Sequence, residues 1–439
     1  MHLRQNIIRL KQNSLFKDSF WAVLGNGIGY GLLLISGVVI GRLLGKDLYG
    51  EYGLIKTTMF QLAMFSTLGL GITSTKFIAQ HIEEEKTANI FQTLWSSIKV
   101  TLLTSIALCI LLFSLAHPLA KMLNEPHLAI GFRFLGIVLI FQALTKVLNG
   151  ILAGFKAFKT IGINNILSGL VMLAASIPLT YYYQIKGAFC ALTLFLLVNS
   201  LLNAIPIIRI CKTLPKPTPD KDKDKGEGEG STKSLLFFSF PIAAQDLSYF
   251  LCNSSALFLM TRYASLGEVG VYTAATQWCS VITFVPGLLY NVVLSHLSGA
   301  ISNHKKHSTI VWQMVVVHLV CVLIPLLVVL LFSGFIASLY GPTFEGLKLV
   351  LSVAVFYTIF TSLSNVFQAE VISEGKSWTL FGYALIRDVA ILTILLVAVF
   401  LGKQQLALIM SMAVIAGFAL YTFILYLHYR RHQPIAQPT

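Results

Sequence analysis

The sequence predicts an all-α, polytopic membrane protein of about twelve transmembrane helices in two six-helix lobes related by a parallel repeat. Three observations predict it. Of the 439 residues 56% are apolar and 11% charged, with a mean hydropathy of +0.77, a balance far from that of soluble domains. Apolar stretches of about 20 residues, enough to cross a hydrocarbon core of about 30 Å, follow one another with short polar gaps. A polar turn after the first stretch also has a counterpart in the second half of the chain.

The first stretch, 19–41, carries no charge and contains Gly25, Gly27, Gly29 and Gly31 in the run GNGIGYG. No strand precedes this run and no phosphate-binding turn follows, so a dinucleotide loop is excluded. On a helix these glycines sit one turn apart in pairs, where they let a neighbouring backbone approach or the helix bend. The turn Arg42-Leu43-Leu44-Gly45-Lys46-Asp47-Leu48-Tyr49-Gly50-Glu51-Tyr52 leads into the second span, 53–79. Further spans are expected at 93–117, 127–153, 161–183, 187–210, 235–261, 269–297, 309–333, 343–372, 378–402 and 404–428. Together they leave no room for a soluble domain.

Residues Arg262-Tyr263-Ala264-Ser265-Leu266-Gly267-Glu268-Val269-Gly270-Val271-Tyr272 echo the first turn in Arg, Leu-Gly, an acid, Gly and Tyr, with a small change of spacing. Lys156 and Lys376, each in a short polar gap, lie at about the same separation. Both coincidences indicate an internal duplication. An even number of spans per half makes the two halves parallel, related by an axis along the membrane normal. The expected organisation is a basic N-terminal tail 1–18, an N-terminal lobe 19–211, a charged cytoplasmic linker 212–233, a C-terminal lobe 234–429 and a tail 430–439. The linker run LPKPTPDKDKDKGEGEGSTK joins Pro, Gly and alternating charge, a composition that cannot bury a core.

The formal charge of +14 follows from topology. With the N-terminus inside, about 21 Lys and Arg fall in inner gaps and tails, about 7 in outer gaps and the remainder within spans. This places both termini in the cytoplasm. The basic residues are dispersed, which excludes a nucleic-acid face. Leu3, Ile7 and Leu10 share one helical face, so the tail either lies on an anionic surface or is simply a solvated basic segment. The six cysteines form no C-x-x-C pair and read as small apolar residues, with no metal site. The Glu83-Glu84-Glu85 triplet and the run His304-Lys305-Lys306-His307 read as solvated inner turns.

A charged side chain within a span costs about 2.5–3.5 kcal/mol to insert, so those present point to a wet cavity or a partner. In the first half the candidates are Lys56, Arg133 and Lys146. Lys56 and Arg133 lie near the outer ends of their spans, where snorkelling also accounts for them; Lys146 is deeper. In the second half Asp246 lies mid-span, and Arg387 and Asp388 sit near mid-depth of the eleventh span. Adjacent helical residues point about 100° apart, so Arg387 and Asp388 are not expected to pair with each other. Pairing of one of them with Asp246 across the bundle is the structural alternative to an ion-coupling role. His318 and Glu370 read as satisfied polar groups. A cavity lined by cations suits phosphate or pyrophosphate, which Lys and Arg hold by charge and forked hydrogen bonds. The sequence contains no H-E-x-x-H, G-x-S-x-G or Walker motif, so no catalytic constellation competes and no cofactor is called for.

Three segments carry a resemblance: Gly41-Arg42-Leu43-Leu44-Gly45-Lys46-Asp47-Leu48-Tyr49-Gly50-Glu51-Tyr52, Leu68-Gly69-Leu70-Gly71 with Thr75-Lys76-Phe77-Ile78-Ala79, and Gly150-Ile151-Leu152-Ala153-Gly154-Phe155-Lys156. The chain resembles the polysaccharide (O-antigen type) flippases of the multidrug/oligosaccharidyl-lipid/polysaccharide exporter superfamily. The first 80 residues are the most specific part, and the second half is matched mainly by its span pattern. The resemblance implies a bacterial inner-membrane protein that moves an undecaprenyl-pyrophosphate-linked oligosaccharide from the inner to the outer leaflet by alternating access. It also implies cavity cations that engage the pyrophosphate and a proton or sodium gradient as driving force. Membrane lipids and a polysaccharide polymerase or chain-length regulator are the further partners it suggests. Lys56, Arg133, Lys146 and Arg387 are candidates by placement, since no fixed motif carries them over. Two other readings are weighed against it: a drug/cation antiporter of the same superfamily, which needs acidic residues to dominate its cavity, and a membrane-embedded glycan polymerase, which the short outer loops oppose.

Overall fold

The computed structural model describes residues 2–83, 87–122, 126, 128–213, 232–290, 304–373 and 376–432. The expected charged linker lies almost entirely outside them, as do Glu84 and Glu85, and the side chains of 2–23, Asp246 and 304–307 lie outside as well. Among the described residues all regular structure is helical. The helices are α1 (His2–Ser66), α2 (Leu70–Glu83), α3 (Thr87–Met122), α4 (Leu128–Gly154), α5 (Phe158–Thr213), α6 (Thr232–Tyr263), α7 (Leu266–Ile282), α8 (His304–Leu331), α9 (Ser333–Tyr340), α10 (Leu347–Ala354), α11 (Tyr357–Ser373), α12 (Ser377–Phe400) and α13 (Leu406–His432).

Two of these hold a pair of spans each. A single non-helical residue divides α1 at Gly45 (φ 73°) and α5 at Gln184 (φ 50°). Gly45 has no Cβ to oppose a positive φ, which is why the turn after the first span pivots there. With these divisions each of the twelve expected spans overlaps described helix, although 291–297 of the eighth lie outside the described residues and the tenth is divided between α10 and α11, and several helices are long and apolar enough to cross a membrane. Two features were not expected. The second span is interrupted at mid-length, between Ser66 and Leu70, by Leu68 (φ 49°) and Gly69 (φ 72°). The short helix α9 stands between the ninth and tenth spans. α1 begins at His2, within the expected basic tail.

Contacts divide the chain into two compact units, but not at the charged linker. One unit is Met1–Ser36 with Ile55–Ala243; the other is Gly37–Leu54 with Ala244–Thr439. Composition marks where a chain stops burying surface, whereas packing marks where helices travel together, and here α1 and α6 each cross from one unit to the other within a helix.

The first unit packs Leu70, Phe77, Ile78, Val147, Leu148, Ile151 and Leu152 into a core. Glycines bring its helices to backbone contact. A Cβ on Gly150 of α4 would overlap the Gly71 carbonyl of α2, and Thr75 Oγ1 donates to the Gly150 carbonyl at 2.8 Å. The GNGIGYG run behaves as its spacing predicts: Gly25 lies against the Gly162 backbone and Gly29 against Asn165. The second unit buries Val311, Val366, Phe367, Leu380, Ala384, Tyr421 and Leu425. Its polar turn 42–52 packs on the segment that repeats it. A Cβ on Gly50 would overlap the Leu266 carbonyl, and a Cβ on Gly270 would overlap the Lys46 carbonyl.

Candidate functional site

In the second unit, Arg387 and Asp388 of α12 are 5% and 2% exposed. They pair with each other, against the sequence expectation. Arg387 Nε donates to Asp388 Oδ1 at 2.8 Å, and Nη2 lies 2.7 Å from the same oxygen. The expectation failed because it followed the Cβ directions alone. The arginine stem is long enough to bend back across the 100° between neighbours, and burial removes the water that would otherwise solvate the two charges.

Two other helices complete this environment. Ser248 of α6 donates its hydroxyl to Asp388 Oδ2 at 3.2 Å, so the seventh span does reach Asp388, through Ser248; the side chain of Asp246 is outside the described residues. From α13, the rings of Phe418 and Tyr421 have their centroids 4.7 and 4.9 Å from the Arg387 guanidinium carbon. Tyr249 of α6 stands at 5.9 Å and keeps 40% of its surface exposed. A flat guanidinium between aromatic faces is held by ring quadrupoles as well as by its carboxylate. Its Nη1 amino group has no acceptor among the described residues. One edge of the cation is therefore committed to Asp388.

In the first unit the expected cations are spread out. Arg133, near the start of α4, is exposed. Lys56 is partly buried on the helix beside it, since Gly131 of α4 meets Ile55. Lys146 is partly buried further along α4. Thirteen residues of helix put the Cα atoms of Arg133 and Lys146 about 20 Å apart. These two cannot grip one pyrophosphate together.

The polar centre of the first unit is one that sequence reasoning missed, a ladder of asparagines. Asn203 Nδ2 donates to Asn199 Oδ1 (2.9 Å) and to Asn149 Oδ1 (3.1 Å). Asn199 donates in turn to Asn165 Oδ1 (3.0 Å) and Ser168 Oγ (2.6 Å), and Asn165 to Asn26 Oδ1 (2.6 Å). Asn164 donates to Asn203 Oδ1 (2.8 Å). The ladder ties α1, α4 and both halves of α5. It carries no net charge and cannot exchange a proton at physiological pH; it fixes helices and offers amide oxygens. The signal was present in the sequence, as the doublet Asn164-Asn165 and the i, i+4 pair Asn199 and Asn203 within apolar spans. A search restricted to charged residues passes over it. Among the described residues no group of three or more His, Cys, Asp or Glu side chains is placed to hold a metal ion.

A sequence profile described as polysaccharide biosynthesis protein matches residues 15–294, more than half of the chain. The chain belongs to the polysaccharide biosynthesis protein family. The curated relative "Succinoglycan biosynthesis transport protein ExoT" of Rhizobium meliloti (strain 1021) is 23% identical over 275 residues. The alignment covers 62% of this chain and 52% of that protein, so the chain spans about half the length of the relative it matches. Solved structures share the fold. A multidrug resistance MATE family transporter of the MOP superfamily, in an inward-facing conformation, superposes with a TM-score of 0.77 at 17% identity, covering 93% of this chain and 97% of that one. A MOP superfamily transporter from Pyrococcus furiosus Vc1 (DSM3638) gives 0.65 at 17% identity, with 95% of each chain covered. The family member described here is thus a multi-pass membrane protein with the fold of a transporter.

Proposed function

We propose that this protein flips an undecaprenyl-pyrophosphate-linked oligosaccharide from the inner to the outer leaflet of the bacterial cytoplasmic membrane by alternating access, with both termini cytoplasmic. The observation that carries this reading is the family match across residues 15–294. The cations support it. Lys56 and Arg133 supply positive charge at one level of the first unit and Lys146 at another, and Arg387 supplies a buried guanidinium in the second. Because Arg133 and Lys146 stand about 20 Å apart, the pyrophosphate meets these groups in succession as it moves. Asp388 neutralises Arg387 at rest, which limits how tightly the cargo is held and favours its release. Asp388 and Asp246 are the carboxylates through which a proton or sodium gradient would act.

The test is complementation of a null strain, with surface glycan as the readout. The double variant K146Q/R387Q is expected to lose most surface glycan while remaining at wild-type level in the membrane. Undiminished glycan overturns the assignment of the cations. Reconstituted protein that extrudes a cationic dye and leaves lipid-linked oligosaccharide unmoved overturns the flippase reading itself.

A further inference from the structure

In the first unit α5 reverses at Gln184, between the fifth and sixth spans, and the three residues before that pivot are tyrosines. Tyr181, Tyr182 and Tyr183 are 69%, 75% and 66% exposed. At about 100° per residue they fan over about 200° of the helix perimeter, so they do not share one side of it. Tyr181 and Tyr182 meet edge-on with ring centroids 5.3 Å apart. Gln184 and Lys186 beside them are exposed as well.

The rings stand on a fixed base. Gln184 sits at φ 50°, a left-handed conformation that a side chain takes only where its surroundings impose it. A Cβ on Gly187 would overlap the Leu179 carbonyl, so the sixth span starts directly against the last turn of the fifth. Phe189 then packs on Phe134 of α4 at 5.7 Å, which brings the start of α4, with its exposed Arg133, beside the turn. Neither α4 nor α5 contains an Asp or Glu. Their field attracts an anion and offers nothing to a basic partner. The turn itself needs no rings. Its counterpart in the second half pivots on Gln405 (φ 61°) and carries Gly402, Lys403 and Gln404 where the first carries tyrosines. An anchor in the lipid headgroups would serve both halves alike, whereas the rings belong to the first alone.

We propose that residues 181–184, with Lys186, form a saccharide-binding surface that takes the sugar rings of the cargo on the outer side of the membrane. The proposal rests on the flippase reading, which supplies the sugar and the orientation. Tyrosine gives a broad, rigid face to the C–H side of a sugar ring and a hydroxyl to its edge, at the entropy of two side-chain torsions. Gln184 and Lys186 add donors for sugar oxygens. Arg133 and Lys186 attract the pyrophosphate that follows at the membrane surface.

Saturation-transfer NMR tests this on the intact chain in phosphatidylcholine nanodiscs, with oligosaccharide freed from the cell's own surface glycan by mild acid as the probe. Transfer to sugar C–H protons is expected from the wild-type protein. Y181A/Y182A/Y183A is expected to weaken binding about tenfold, and Y181F/Y182F/Y183F, which keeps the rings, to retain most of it. No transfer from the wild-type protein overturns the proposal. So does transfer unchanged in the alanine variant: surface glycan then lost in cells points to a protein partner, and surface glycan retained points to a headgroup anchor. Should the triple variant fail to accumulate, Y182A, at the most exposed ring, decides by the same measurement. Binding is read without transport. Protein that holds the sugar through its tyrosines but leaves lipid-linked oligosaccharide unmoved therefore refutes the flippase reading and not the surface.

Discussion

Arg387 carries its counter-charge on the adjacent residue, and this makes the two positions unequal to mutation. Asp388→Ala leaves a buried guanidinium without its carboxylate and is expected to cost about 3–5 kcal/mol, read as a lower Tm of the purified protein. The double variant R387M/D388L removes both charges and is expected to recover most of that loss while surface glycan stays absent, which separates stability from transport. In the asparagine ladder, Asn203→Ala takes the donor from the Asn199 and Asn149 oxygens and one of two acceptors from the Asn164 amide, which keeps the Leu202 carbonyl, at a cost of about 1–3 kcal/mol. Asn149 accepts at the end of the ladder, so truncating it is milder. Charged residues stood out in the sequence because insertion cost singles them out. Their partners did not, because hydrogen bonding by Asn, Ser and Tyr depends on which helices face one another, and in Arg387 on how far a side chain bends.

At the scale of elements, glycines decide which helices touch, and they fall into two kinds. Gly150→Ala drives a methyl into the Gly71 carbonyl and is expected to destabilise by about 1–3 kcal/mol. Gly382→Ala meets open space in α12 and is expected to be neutral or to stabilise by up to about 1 kcal/mol, from the better helix propensity of alanine. Denaturation of both variants in the same detergent checks the contrast. The number and order of spans were legible because length and hydropathy set them. The break at Leu68 and Gly69 was not, although Leu68-Gly69-Leu70-Gly71 stood out as a family feature. A leucine at φ 49° is held there by neighbours, and propensity opposes it.

For the whole molecule, the distribution of Lys and Arg sets an orientation that cysteine labelling can check. A membrane-impermeant maleimide is expected to label Tyr182→Cys in intact cells, and Lys156→Cys only after permeabilisation; both positions are exposed. The reverse pattern overturns the orientation. The duplication was legible from two short echoes, but the division into units was not, since the chain changes unit inside α1 and α6 rather than at its most polar stretch. The packing of the turn 42–52 on the segment that repeats it has a consequence for how the gene can be rearranged. Residues that face their own counterparts cannot both be large, and the chain meets this with Asp47 opposite Gly267 and Thr273 opposite Gly53. A tandem of two first halves would set Asp against Asp, and a tandem of two second halves would set Thr against Thr. The copies have diverged into a matched left and right hand, and neither can stand in for the other.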